Sequence, residues 1–265
     1  MTAAGGWQEV GDRVFRRRYR ELDLNVGAVL GDDQVLLVDT RGSRAQAAEL
    51  RRDLRALTPL PCRQAVNTHF HFDHCFGNAF LGGVAVWGHR RCAAALRDRG
   101  EAQRAELRRH LPGVPADPAA LPVVPPGRLV GDAGATLDVG GRPVGLHFCG
   151  HGHTDHDVVV VVGDAGLAFA GDLVEQGAPP SFDDAVPAAW PATLGRLLAL
   201  APRTVVPGHG DLVGPGFVRR QQAELAAMAE LCRLVAAGEL AAELAVRRAP
   251  FPEPAARAAL ARASW

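Results

Sequence analysis

Residues 69–74 read HFHFDH, so His69, His71, Asp73 and His74 crowd four nitrogen or oxygen donors into six residues. That string is too polar for a buried strand, and a metal ion is the simplest way to satisfy all four donors together. It follows the apolar run RQAVNT and precedes CFGNAF, which places it in a loop at a strand end, where open α/β sheets commonly hold ligands. Taken alone, a short histidine tract reads equally as a solvated loop that binds nothing. Three further segments tip the balance. GHGHTDHD at 150–157 lies between GLHF and VVVVV, AGD at 170–172 follows GLAF, and PGHG at 207–210 follows RTVV. Each sets a His or Asp beside a strand-like run, and carboxylates and imidazoles gathered from four loops need a counter-charge.

On these motifs the chain resembles the metallo-β-lactamase-fold hydrolases, which include glyoxalase II, lactonases, arylsulfatases and the lactamases. The likeness runs from NVGAVLGDDQVLLVDT at 25–40 through VVPGHG at 205–210. It implies a four-layer αββα sandwich of two mixed β-sheets flanked by helices. It also implies that His69, His71 and His153 bind a first metal, that Asp73, His74 and His209 bind a second, and that Asp172 bridges them. Asp39, at the end of QVLLVD, corresponds to an aspartate that braces the histidine loop from behind; its other reading is a turn residue capping the next helix. Two divalent ions about 3.5 to 4 Å apart share a water, lower its pKa toward neutrality and present hydroxide without a protein base. Asp73 has a second possible duty at that water, orienting it or accepting its proton. The donor mixture suits zinc, while iron and manganese also accept it.

The resemblance therefore implies a dinuclear hydrolase acting on a small ester, thioester or lactone. Asp172 stands where lactamases of this fold carry Cys or Ser, which makes β-lactam hydrolysis a weaker expectation, and phosphodiester hydrolysis is weaker too. A mononuclear iron persulfide dioxygenase with the same HxHxDH string is the alternative. Flavo-diiron oxidoreductases carry Glu at the position of His71, which argues against them, and a full set of seven donors argues against a module that has kept the fold but lost its chemistry. The HTD register favours His153 over His151 as the ligand. His156 stands where relatives often have Gly and is expected to turn to solvent, with contact to substrate as its other reading. Phe72, Trp190, Phe182 and His89 belong to segments that either rim the cleft or pack ordinarily; Phe72, His156 and Trp190 are the candidate substrate contacts.

The elements that must carry these loops read as two similar halves. VFRRRYR, NVGAVLG and QVLLVDT are strands, with a turn at Asp32 and Asp33; an amphipathic helix follows from Ser43, its candidate N-cap. RQAVNT and GVAVWG are strands on either side of the metal loop, and residues 89–110 form an arginine-rich helix whose cations read as a solvated face. The proline-dense stretch from Leu111 to Gly127 is irregular, either a loop over the cleft or a connector. TLDV, RPVGLHF, DVVVVVG, GLAFAG and RTVV are strands of the second half, WPATLGRLLAL is a helix, and a further helix runs over 217–237. Residues 1–265 are expected to form one domain, with a helical, peripheral tail from about 239.

Composition bounds the rest. With 29 basic and 29 acidic residues the chain is balanced, which argues against a nucleic-acid or membrane surface and leaves a small molecule as the partner. Every basic residue is Arg, so Schiff-base chemistry, a pyridoxal-phosphate anchor and a P-loop lysine are excluded. The five cysteines are scattered and unpaired in spacing, which fits reduced thiols in a cytoplasm; Cys75 and Cys149, beside the metal loops, read as buried filler or as cleft lining. The N-terminus has no apolar stretch of signal-peptide type, and no later run is long enough to span a bilayer.

Overall fold

Backbone pairing divides the chain into two sheets joined along one seam. The computed structural model describes residues 4–114 and 118–262. The first half comprises β1 (Gln8–Gly11), β2 (Val14–Tyr19), β3 (Leu24–Leu30), β4 (Val35–Val38), α1 (Arg44–Leu57), β5 (Cys62–Val66), α2 (Phe72–Cys75), β6 (Ala85–His89), α3 (Arg90–His110) and β7 (Arg128–Val130). The second comprises β8 (Ala135–Val139), β9 (Arg142–Phe148), β10 (Val158–Val162), β11 (Leu167–Glu175), α4 (Trp190–Ala199), β12 (Thr204–His209), α5 (Pro215–Ala236), α6 (Ala242–Arg248) and α7 (Glu253–Arg262). The strand order is β7-β6-β5-β4-β3-β12-β11-β10-β9-β8, with the β1–β2 hairpin also on β3. β4 through β7 run parallel, as do β11 and β12, while β8 to β11 form an antiparallel meander.

Side-chain alternation builds the layers. In β4, Val35 and Leu37 meet Leu50 and Leu54 of α1, whereas Leu36 and Val38 face the other way. That second face meets Leu137, Val144, Val160 and Phe169 of the opposing sheet. In β10, Val158, Val160 and Val162 enter this shared core, and Val159 joins Leu194, Leu197, Leu225 and Met228 of α4 and α5. A strand apolar on both faces must be covered on both, so the stack is helix, sheet, sheet, helix. Ser43 caps α1 by accepting a hydrogen bond from the Gln46 amide at 3.3 Å. The tail is not loose: Ala245, Phe251, Ala256 and Ala259 share the core under α4 and α5.

The seam between the sheets is narrow. His209 of β12 pairs with Leu24 of β3, and the buried Asn25 amide donates to the Pro207 and Gly210 carbonyls at 3.0 and 2.9 Å. Two short strands, β1 and β7, were absent from the sequence reading; β7 has three residues, two of them exposed, too few to show a period. In the proline-dense stretch, Leu121 and Val123 pack with Leu96 and Leu107 of α3, and Leu121 accepts a hydrogen bond from Arg104. Its described part is a packed connector, not a cover over the cleft; residues 115–117 of the stretch lie outside the described residues, as do the last three of the tail.

Candidate metal centre

Loops at one end of this stack bring seven donors together. His69 and His71 follow β5, Asp73 and His74 lie on α2, His153 precedes β10, Asp172 is on β11, and His209 ends β12. Gly171, at φ 53°, shifts the β11 register just before Asp172, and a Cβ there would meet Thr68 at 2.8 Å. A Cβ on Gly208 would lie 1.8 Å from Asp172 Oδ1, so only glycine lets β12 pass this close.

The donors fall into two groups: His69, His71, His153 and Asp172, and Asp73, His74 and His209, with ligand atoms inside each group no more than 4.8 Å apart. His71 Nδ1 lies 3.1 Å from His69 Nε2 and 3.0 Å from His153 Nε2. Asp172 Oδ2 lies 3.6 Å from both of those Nε2 atoms and 3.5 Å from His209 Nε2, and its Oδ1 lies 3.3 Å from His74 Nε2. His209 Nε2 is 3.3 Å from His74 Nε2 and 3.4 Å from Asp73 Oδ2. Corners of a tetrahedron with arms of 2.0–2.1 Å are about 3.3 Å apart, and the separations given above lie near that value, so each group could hold a divalent ion.

Protons on the outer nitrogens point to the same conclusion. His153 Nδ1 can only donate to the Ser181 carbonyl, and His209 Nδ1 only to that of Leu22. His74 Nδ1 donates to Asp39 at 2.8 Å, and His71 Nε2 to Asp184 at 3.0 Å. Thr68 gives both its amide and its hydroxyl proton to Asp39, so its oxygen is left to accept from His69 Nδ1. Each outer nitrogen is thus a donor, which leaves the inward nitrogen of a neutral ring as a lone pair. In the His69, His71 and His153 group, inward lone pairs facing one another at these distances, beside a buried Asp172 Oδ1 with no hydrogen-bond partner, fit a cation between them.

The field differs across the site. Burial pushes the His69 imidazole well below its usual value and His153 down to about 3. Burial also depresses His209, but the charges of Asp172 and Asp73 outweigh it and lift the ring to about 10; His74 rises in the same way. Glu175, buried beside Asp172, is pushed up to about 8. Burial raises Asp39 too, against the pull of His74.

A cleft of about 610 Å³ opens above these groups, lined by Leu22, Phe72, α3 residues including Gln103 and His110, and the 176–184 loop. Phe72 lines it, stacked on His110 with ring centroids 5.9 Å apart. Trp190 does not: it is fully buried, its indole N–H donates to the Leu173 carbonyl, and it packs on the back of His153. Phe182 and His89 are likewise core residues outside the lining. His156 is neither in solvent nor in the cleft. It is fully buried, paired through Nδ1 with Asp155 at 2.5 Å and set against Phe70, because the 154–157 turn folds it inward. His151 is exposed beside Phe148, away from both donor groups. Cys75 and Cys149 are buried, and burial raises both thiols.

Two residues at the centre escaped the sequence reading. Asp157 takes the Thr154 amide and hydroxyl, each at 2.8 Å, and so locks the turn that carries His153; the T-x-x-D spacing was the available signal. Asp184 meets His71 from 113 residues away, and no local pattern announces it.

Comparison with known proteins identifies the family and the fold. A family model of the metallo-beta-lactamase superfamily matches residues 20–209. The chain belongs to that superfamily and is a metal-dependent hydrolase of its class. It is 29% identical over 257 residues to the acyl-coenzyme A thioesterase MBLAC2 of Bos taurus, covering 86% of this chain and 89% of that one. A metallo-beta-lactamase from Pontibacter korlensis shares the fold, with a TM-score of 0.68, 20% identity, and coverage of 83% of this chain and 98% of its own. One from Erythrobacter litoralis, with beta mercaptoethanol in its active site, has a TM-score of 0.65, 20% identity, and coverage of 83% and 95%. Among the described residues no helix is long and apolar enough to cross a membrane.

Proposed function

We propose that the chain is a dinuclear zinc hydrolase that cleaves small acyl thioesters, with related esters and lactones as secondary substrates. The observation that carries this reading is the pair of donor groups sharing Asp172, each spaced for one ion. The Asp73, His74 and His209 group favours it over the mononuclear dioxygenase, which would leave two buried donors and a half-buried one without a task. The thioesterase relative supports the thioester over the lactone. Five unpaired thiols support a reducing compartment, the cytoplasm.

His69, His71 and His153 would hold one cation, Asp73, His74 and His209 the other, and Asp172 would contact both. When bound, such a pair supplies an ionised water near neutral pH and polarises the acyl oxygen. The chain's own residues do the remaining work. Asp73 Oδ2, at the cleft floor beside His209, is placed to hold or accept the proton of an attacking water. Leu22, Phe72, Ala178 and Pro179 give an acyl chain an apolar wall, and Gln103 fixes Phe72 by accepting its backbone N–H at 3.0 Å. Water adds to the acyl carbon, the carbon–sulfur bond breaks, and a carboxylic acid and a thiol leave.

The test is metal content together with thiol release from a panel of acyl thioesters under anaerobic conditions. About two zinc ions per chain, turnover abolished by a chelator and restored by zinc, and no need for oxygen are the expected results. Fewer than one metal per chain, or turnover that stops without oxygen, overturns the reading.

A further inference from the structure

His71 is held unlike the other four imidazoles. They keep a proton on Nδ1 and turn Nε2 inward, whereas His71 turns Nδ1 inward and donates from Nε2 to Asp184 Oδ2 at 3.0 Å. The other carboxylate oxygen, Asp184 Oδ1, pairs with the guanidinium of Arg99 on α3. Arg99 in turn lies over the ring of Phe70, the residue before His71, with Cζ 4.3 Å from the centroid. Both oxygens of Asp184 are therefore committed, one to His71 and one to Arg99 of α3. With an N–H of His71 on one oxygen and of Arg99 on the other, the carboxylate acts here as an acceptor on both sides.

We propose that Asp184, oriented by Arg99, is a positioning residue that sets the tautomer of His71 and thereby keeps its Nδ1 lone pair facing the three-histidine group. This rests on the reading that His71 holds a cation. The argument turns on what an amide would do in the same place. In Asp184→Asn, Arg99 donates only, so it claims the single amide oxygen. The NH2 group then faces His71 Nε2, which must accept, and the ring proton moves to Nδ1. That proton points at the position of the cation and removes the lone pair. A neutral, isosteric change thus becomes a switch of tautomer, and Arg99 is what enforces it.

The experiment compares wild type, Asp184→Asn, Asp184→Ala, Arg99→Met and the double variant Arg99→Met/Asp184→Asn. Two-bond proton–nitrogen correlation spectra of the metal-free proteins at pH 8.5 report which nitrogen of His71 is protonated. Zinc affinity is measured separately by competition with a chelating indicator. The wild type should show Nε2–H. Asp184→Asn should show Nδ1–H and bind its first zinc about 10–100-fold more weakly, the range found when a ligand histidine loses its outer partner. Arg99→Met should change little. The double variant should recover most of the loss, because its amide is free to turn the oxygen to His71. Asp184→Ala, which presents no donor, should fall between wild type and Asp184→Asn. Nε2–H with unchanged affinity in Asp184→Asn overturns the proposal, as does a double variant no better than Asp184→Asn. If the wild type binds no zinc, the proposed function fails, and the spectra still decide the tautomer claim.

Discussion

The two donor groups share Asp172, whose oxygens lie 3.3 Å from His74 Nε2 and 3.5 Å from His209 Nε2, yet they solve the same electrostatic problem in opposite ways. Around His69 and His153 burial dominates, and both imidazoles are held neutral far below their usual range. Around His74 and His209 the carboxylates dominate and draw protons onto the rings. In the first group the lone pairs of His69 and His153 are already free. The second is a cage whose negative charge is balanced by protons that a cation must replace. Two groups of similar ligand type are therefore expected to differ in how tightly, and at what pH, they fill.

The shared carboxylate is where the contrast is most exposed to test. Asp172→Ala removes an oxygen from each group and the counter-charge that raises His74 and His209. Turnover should drop by more than the roughly 10–100-fold seen when only an outer partner of a ligand is lost, while the circular dichroism spectrum is retained. Unchanged turnover would remove Asp172 from the bridge.

Next in size is the pH dependence. A raised pKa means that a proton is bound at neutral pH and must leave when a metal enters, so affinity for the Asp73, His74 and His209 group should climb as pH rises toward about 10, the value for His209. Each displaced proton contributes up to about tenfold per pH unit, so the two rings together contribute up to about 100-fold. His69 and His153 carry no proton to displace near neutrality, and metal binding at their group should depend far less on pH. Calorimetric titrations in buffers of different ionisation enthalpy count the protons released at each step. Equal counts for both ions would erase the distinction between the groups.

How much of this was legible in the residues depends on distance along the chain. HFHFDH, GHTD, AGD and PGHG mark the converging donors because several chemically unusual residues sit beside apolar runs, a local signal. The sandwich was legible for a similar reason: strands such as VVVVV are apolar on both faces and demand cover on both. His156 was misplaced because a histidine in a polar turn looks solvated until the Thr154–Asp157 bonds fold that turn inward. Trp190 was offered as a cleft residue because the letter does not reveal that its N–H is already taken by the Leu173 carbonyl. Asp184 could not be found at all, since its role exists only when the 176–189 loop crosses to α3.

Asp39 tests whether the two groups are separable. It accepts from His74 directly and from Thr68, whose oxygen in turn receives His69 Nδ1–H, so one carboxylate supports both cages at different removes. Asp39→Asn should weaken the second group about 10–100-fold and the first by less. Equal losses, measured by competition with a chelating indicator, would mean that the brace acts on the loop as a whole rather than through His74.

The smallest effect should come from Thr154, whose support reaches only one group. Thr154→Val keeps the shape of the side chain and the backbone donor to Asp157 but deletes both bonds of the hydroxyl, leaving a buried carboxyl oxygen and the buried His156 amide without that partner. That costs about 1–3 kcal/mol of folding stability. Because the turn carries His153 and none of Asp73, His74 or His209, the first group should weaken a few-fold and the second should not change. The reverse would show that the turn is tied to the second group through Asp172, and the two cages would then have to be treated as one.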